Sequence, residues 1–509
     1  MKCCLLFCAL LISCVPEKAG KQADSSAGMP DAIQQAADQL DAALMHDYML
    51  MFEKRLKSSY NTAAPMLPPM ADDTVFLRRA CIDLAGRLPR AEEVRAFIAD
   101  SSPDKHAKLT DALTREPGAA EVRFRMLAEA FRITDEDAET IAWLREAAAK
   151  DYPYAEIIAV MIGSGRTSRR DGGDAMRTSV ETAYSVLGVN NRCAMCHDHP
   201  FNDRTEMETY EFAACFADQG EILRLPRDYK YPRAKPGDVV MPSLPKLTKS
   251  WNPGIRDDVD KRVQVAQWIT EQEVTKRFAM VAVMRSWRAL FGMPGQIIDP
   301  TVGGVDDEPS WKETRGNCFF TARRGSPTWI DMDISEPGDF SQATKVMMEE
   351  FLRCEGRIGE YQRILARTEA YSRSGIGHEF ALSGCLLPPA PQIRRLPSEV
   401  IWKTLTAEND VQLPQVPRSG HPLRLLGRGT REWTDESVTP VSHELARFMM
   451  NGPQVAQTSA NAGSVEEMFL SLLGRAPTEN ERAAITRSDS SNQDVAWALL
   501  NTREFMFRP

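Results

Sequence analysis

DAIQQAADQLDAALMHDYMLMFEKRLKSSY, residues 31–60, places apolar side chains at Ile33, Ala36, Ala37, Leu40, Leu44, Tyr48, Met51 and Phe52. Steps of three and four wind these positions onto one stripe of a 3.6-residue helix, so the stretch predicts an amphipathic helix of several turns. The same spacing runs through Ala119–Phe131, Ala138–Ala149, Tyr154–Ile162 and Ala175–Leu187. It resumes over Asp257–Phe291, Gln342–Ser374 and Ser398–Thr406 and continues to the C-terminus. Methionines recur in these stripes, where a flexible thioether fills gaps in a core. β-like runs are short: Val239–Met241, Asn317–Thr321 and Thr328–Ile334. The fold expected is mainly α, a multi-domain helical protein with short irregular or β excursions.

Composition agrees. The chain has 509 residues, 43% of them apolar, enough to bury a sizeable core and for about two to four domains. Lys and Arg number 62 against 71 Asp and Glu, a net charge of −9 without a basic block, which argues against nucleic acid as the main partner. No stretch after residue 14 approaches the ~18 apolar residues of a membrane span. Between Leu225 and Gly254, six prolines from Pro226 to Pro253 rule out a long helix. The organisation read is a helical domain over 31–224, a Pro-rich excursion over 225–256, and a second helical domain over 257–509 with an irregular insert near 301–340.

The start reads as a targeting segment. Met1-Lys2 is followed by the apolar run Cys3–Ile12 and then by Leu11-Ile12-Ser13-Cys14, which resembles the lipobox of bacterial lipoproteins. Residues 1–14 are expected to be a signal peptide with Cys14 as the lipidated residue, and 15–30 a flexible tether. The protein is then exported and lipid-anchored on the periplasmic or cell-surface side of a bacterial membrane.

One short pattern occurs twice. Leu84-Ala85-Gly86-Arg87-Leu88-Pro89 is echoed by Leu472-Leu473-Gly474-Arg475-Ala476-Pro477, and a glutamate follows each proline by four residues, Glu93 and Glu481. Glycine in a left-handed cap, then proline, then a new helix is the physics of a helix–turn–helix. Thr478 and Glu481 add a capping box. A paired binding surface built on Arg87 and Arg475 is the other reading.

Chemistry concentrates at Cys193-Ala194-Met195-Cys196-His197. In C-x-x-C-H two thiols add to the haem vinyl groups and the adjacent histidine reaches the iron. With seven histidines in 509 residues, chance puts one after a C-x-x-C about once in seventy, so the pentapeptide is fairly specific. Zinc or iron on Cys193, Cys196, His197 and His199 is an alternative, since thiolate and imidazole suit both. A surface disulfide is another. His378, His421 and His443 stand singly, and Cys81, Cys215, Cys318, Cys354 and Cys385 are scattered as small buried hydrophobes are. Nucleotide-binding glycine loops, zincin helices and nucleophile elbows are absent. Arg166, Arg169 and Arg170 beside Asp171–Asp174 read as a solvated loop, and His378-Glu379 as surface.

Leu187-Gly188-Val189 followed by Cys193–Phe201 resembles the core of the planctomycete cytochrome-c-type domain of large secreted proteins, whose opening is similar to Phe76–Arg79 and Asp83–Pro89. Downstream, Arg285-Ser286-Trp287, Phe291-Gly292, Arg394–Val400, Leu425–Arg428 and Trp497–Phe505 resemble the planctomycete-specific domain of unknown function that accompanies it. The likeness spans roughly 70–509. It departs at Asn202-Asp203-Arg204 and at Met284. The resemblance implies a mainly helical exported protein with a haem c site: Cys193 and Cys196 hold the porphyrin, and His197 is the iron ligand. The expectation is electron transfer or redox sensing with a redox or cell-surface protein partner. The competing class is a non-catalytic cell-surface scaffold with a structural Cys/His metal. A hydrolase on Asp198, His199 and Asp203 is a third reading.

Overall fold

The computed structural model describes residues 31–51, 67–166, 174–198, 205–218, 223–225, 235–245, 254–271, 275–292, 341–377, 388–406, 413–431 and 442–508. The first half carries α1 (Ala32–Met51), α2 (Asp73–Ala85), α3 (Ala91–Ala99), α4 (Lys105–Arg115), α5 (Pro117–Ala130), α6 (Ala138–Ala149), α7 (Tyr154–Gly163), α8 (Ala175–Leu187) and α9 (Glu206–Ala214). Next come α10 (Lys261–Thr270), α11 (Thr275–Phe291), α12 (Gln342–Arg353), α13 (Ile358–Ala366) and α14 (Glu369–Ser372). The last group is α15 (Ser398–Thr406), α16 (Pro422–Leu425), α17 (His443–Asn451), α18 (Pro453–Ala460), α19 (Val465–Met468), α20 (Glu479–Ser488), α21 (Asn492–Leu500) and α22 (Arg503–Met506). The protein is mainly α, as its periodicity predicts.

Starts obey local chemistry. Asp174, Thr205, Asp260, Ser341, Ser442 and Ser491 each accept a hydrogen bond from an amide of the helix they precede, satisfying a donor that has no partner within the helix. The helices expected over 257–291 are α10 and α11. The strand expected at Val239–Met241 is a single bridge, Val239 to Arg224, and the other two β-like runs lie outside the described residues. The two-stranded sheet instead pairs β1 (Arg394–Arg395) antiparallel with β2 (Phe507–Arg508).

Two apolar clusters organise the packing. The larger runs from Leu40 through Phe76, Phe124, Ile158, Tyr184, Phe212, Trp268, Val281 and Phe351 to Tyr371. It draws on both sides of the Pro-rich excursion, with α10 lying on α7, and α11 on α8 and α12. The smaller gathers Leu396, Ile401, Leu423, Leu472, Leu499 and Phe505 around one residue of α2, Ile82.

Buried charges tie these parts together. On α2, Arg78 donates to the carbonyls of Leu472, Glu504 (3.2 Å) and Phe505 (3.1 Å), and Arg79 to those of Tyr371 (2.5 Å) and Arg373 (2.8 Å). Asp83 accepts from the Tyr371 hydroxyl at 2.9 Å and pairs with Arg508. Arg394 caps the C-terminal end of α11, donating to the carbonyls of Arg288, Ala289 and Leu290. Glu399 of α15 sits between Arg125 of α5 (2.8 Å) and Arg428. Burial alone would raise the Glu399 carboxyl; the two guanidiniums outweigh it and hold it far below the usual carboxylate range.

The repeated turn is structural at both copies. Gly86 has φ 64° and Gly474 φ 75°, each just past a helical segment, in the left-handed region where a Cβ is strained. Arg87 grips Glu93 and Glu116 with paired hydrogen bonds of 2.6–2.9 Å. Arg475 grips Glu481 and Glu504 in the same way at 2.6–2.9 Å. In each copy the second glutamate lies 29 residues after the arginine. The Arg475 hydrogen bonds lower the Glu481 carboxyl to about 2. Both arginines spend their donors inside their own module, so the paired binding surface is not what they form.

Candidate functional site

The C-x-x-C-H segment hangs from the end of α8. Asp174 caps the start of this helix, accepting from the Arg177 amide at 3.2 Å, and every residue from Thr178 to Leu187 is buried. Gly188 turns left-handed at φ 66° and stops it. Val189 and Asn191 are buried, and Arg192 reaches back to Glu181 at 3.2 Å while its guanidinium lies 5.0 Å from the centre of the Tyr184 ring. The loop is thereby fastened to the buried helix α8.

A single 3₁₀ turn, Cys193–Met195, follows, with the Cys196 amide donating to the Cys193 carbonyl at 3.3 Å. Ala194 is fully buried and acts as the plug, whereas Cys193, Cys196, His197 and Asp198 are all exposed. Both cysteines are free thiols, so the disulfide reading does not hold in this structure. Cys81, Cys215 and Cys354 are free as well, with burial pushing the first two up to about 12 and Cys354 to about 11. Cys81 and Cys215 are core residues, and Cys354 is half-buried.

The His197 ring has a definite arrangement. Its Nδ1 lies 2.7 Å from the carbonyl oxygen of Asp198. A carbonyl only accepts, so Nδ1 carries the proton and Nε2 is the nitrogen left to a metal. Asp198 is itself held: its Oδ1 accepts from the Glu206 amide at 2.9 Å, in the first turn of α9. Thr205 and Glu208 complete that end with a reciprocal capping box.

The residues singled out from sequence fall as follows. Cys193, Cys196 and His197 share one exposed loop. His199, Asp203, Cys14, Arg169, Arg170, His378 and Glu379 lie outside the described residues, and so do Cys318 and Cys385. Arg166 is held by Glu139 (3.1 Å) and the Thr140 hydroxyl (3.3 Å). His421 caps α16 through Nδ1, accepting from the Leu423 amide at 3.1 Å, and His443 opens α17. Among the described residues no three His, Cys, Asp or Glu side chains come together as a metal group. The roles of Glu181, Arg192 and the Asp198 carboxylate were not read from sequence. The Thr-x-x-Glu spacing of Thr205 and Glu208 is the sequence signal for a helix beginning there.

The donor set fits haem c on two counts: both thiols are free and reachable, and the imidazole keeps Nε2 for iron. A tetrahedral metal asks more, because its ligands must converge at about 2–2.3 Å on one point.

Residues 53–184 and 166–221 match the model of a family described as PSCyt2, a protein of unknown function (DUF1549). The matched stretch is about a third of the chain and takes in α2–α9 together with the Cys193–Asp198 loop. No curated protein and no solved structure matches the chain.

Proposed function

We propose that the protein is an exported, lipid-anchored c-type haem protein that serves electron transfer or redox sensing. Cys193 and Cys196 would hold the porphyrin through thioether bonds and His197 would reach the iron through Nε2. Bound haem would supply a one-electron couple, and the Cys14 lipid would keep it at a membrane beside a redox or cell-surface protein partner. One observation carries this reading: an exposed loop presents two free thiols next to an imidazole whose Nδ1–H is already engaged. The C-x-x-C-H spacing of Cys193, Cys196 and His197 supports it.

The test is expression of the full chain with cytochrome c maturation machinery. The expected product is coloured and keeps its haem through acid–acetone extraction. Cys193→Ser or Cys196→Ser should reduce or abolish that retention, His197→Ala should alter the Soret band, and His199→Ala should leave it unchanged. A colourless protein that loses zinc or iron to a chelator, with His199 mattering as much as His197, would overturn the haem reading in favour of the structural metal.

A further inference from the structure

The His197 ring needs a fixed reference to the core, because it is itself exposed and follows a single turn of 3₁₀ helix, Cys193–Met195. Two atoms of the next residue supply it. The Asp198 carbonyl takes the Nδ1–H of His197 at 2.7 Å, and the Asp198 carboxylate takes the Glu206 amide at 2.9 Å. The second bond makes the first one rigid. The Glu206 amide lies in the first turn of α9, where amides find no acceptor within the helix, and Thr205 already serves the Glu208 amide at 3.1 Å. Aspartate is the residue that suits the vacancy: its charge faces the positive end of the helix. Behind it, α9 packs on α8, and its Thr209, Phe212 and Ala213 are buried.

We propose that Asp198 is the positioning residue of this site, anchored on the start of α9 and holding His197 in the tautomer that frees Nε2. The proposal rests on His197 being a metal ligand, and the ring geometry it describes exists before any haem is attached. Groups behind a ligating histidine commonly fix its tautomer and orientation in this way, and their loss typically weakens ligation by about 10- to 100-fold.

The experiment uses the full chain and compares wild type, Asp198→Asn and Asp198→Ala. Asparagine keeps an oxygen that accepts from the Glu206 amide, and alanine keeps none. In the haem-free protein, labelled at histidine nitrogens and held at alkaline pH, the His197 resonances are identified by their loss in His197→Ala. Wild type and Asp198→Asn should show the Nδ1–H tautomer, and Asp198→Ala should move toward Nε2–H. In the haem-loaded protein, added imidazole should displace His197 about 10-fold more readily in Asp198→Ala, with Asp198→Asn close to wild type.

A wild-type ring already in the Nε2–H form would overturn the proposal, and that measurement needs no variant to fold. So would an Asp198→Ala protein with an unchanged tautomer. Absence of a Soret band in wild type would sink the haem reading alone, and the tautomer comparison would still judge Asp198. A normal haem protein in which Asp198→Ala behaves as wild type in both assays would sink Asp198 alone.

Discussion

Alanine at Gly420, Gly474 and Gly86, three of the glycines at positive φ, should destabilise in that order, because their surroundings differ while their backbone strain is similar. Their φ angles are 80°, 75° and 64°. An L-residue there costs roughly 1–2 kcal/mol, of which about 0.4–1 is returned because alanine has less unfolded freedom to lose. At Gly420 nothing lies within 4 Å of an added Cβ, so about 1 kcal/mol or less should remain. At Gly474 the Cβ would sit 3.3 Å from Arg78 Cβ and 3.5 Å from Pro89 Cγ. Arg78 cannot swing aside, since its guanidinium is pinned on three backbone carbonyls. Overpacking of this kind adds about 1 kcal/mol, for a total near 2. At Gly86 the Cβ meets Val122 Cγ2 at 3.0 Å and Arg125 Nη2 at 3.1 Å, and Arg125 is committed to Glu399. About 3 kcal/mol is expected there. Urea unfolding followed by far-ultraviolet circular dichroism, with the denaturant slope unchanged, measures all three. Equal costs at the three sites would refute the reasoning, because strain alone would then account for everything.

Three other outcomes follow from single groups. Glu399→Gln leaves Arg125 and Arg428 buried around a neutral amide and should cost about 3–5 kcal/mol in the same unfolding assay; a cost below 1 would mean the pair is dispensable. Asp41 accepts from the Glu369 and Ala370 amides, yet burial raises its carboxyl to about 6. The folded state therefore holds this proton more tightly than the unfolded chain. Its contribution to stability should fall as pH rises from about 4 to about 6, by at most about 3 kcal/mol. The stability difference between wild type and Asp41→Asn should change by that amount over the interval, and parallel pH profiles would contradict it. Cys14→Ala should move the protein from washed membranes to the soluble fraction, and a variant that stays in the membranes would end the lipoprotein proposal.

The candidate site was legible because its chemistry is local. A C-x-x-C-H pentapeptide places two thiols and an imidazole within five residues, and no fold is needed to bring them together. What holds the ring was not legible, since the Asp198 carboxylate reaches an amide eight residues on, across an intervening stretch with no periodicity to read. The repeat shows the same division. The Gly-Arg-x-Pro turn and the glutamate six residues after each arginine lie within one turn and one helix start, and both could be read. Glu116 and Glu504 could not, because each closes on its arginine only after two helices have folded back.

Helical class, most helix positions, the paired turns and the C-x-x-C-H donors were determined by the sequence alone, through hydrophobic spacing, side-chain capping and glycine's freedom at positive φ. Tertiary structure decided which ends meet. Asp47 of α1 caps α12 by accepting from the Ala343 amide at 2.7 Å, Asp151 caps α13 through the Gly359 and Glu360 amides, and Arg394 closes α11. It also decided that Ile82 of α2 joins the C-terminal cluster while its neighbours Leu77 and Cys81 face the other one. Apolar periodicity says that a face must be buried but carries no address for its partner. Unpaired helix-end amides and carbonyls accept any carboxylate or guanidinium that packing delivers, so these pairings exist only once the chain has folded.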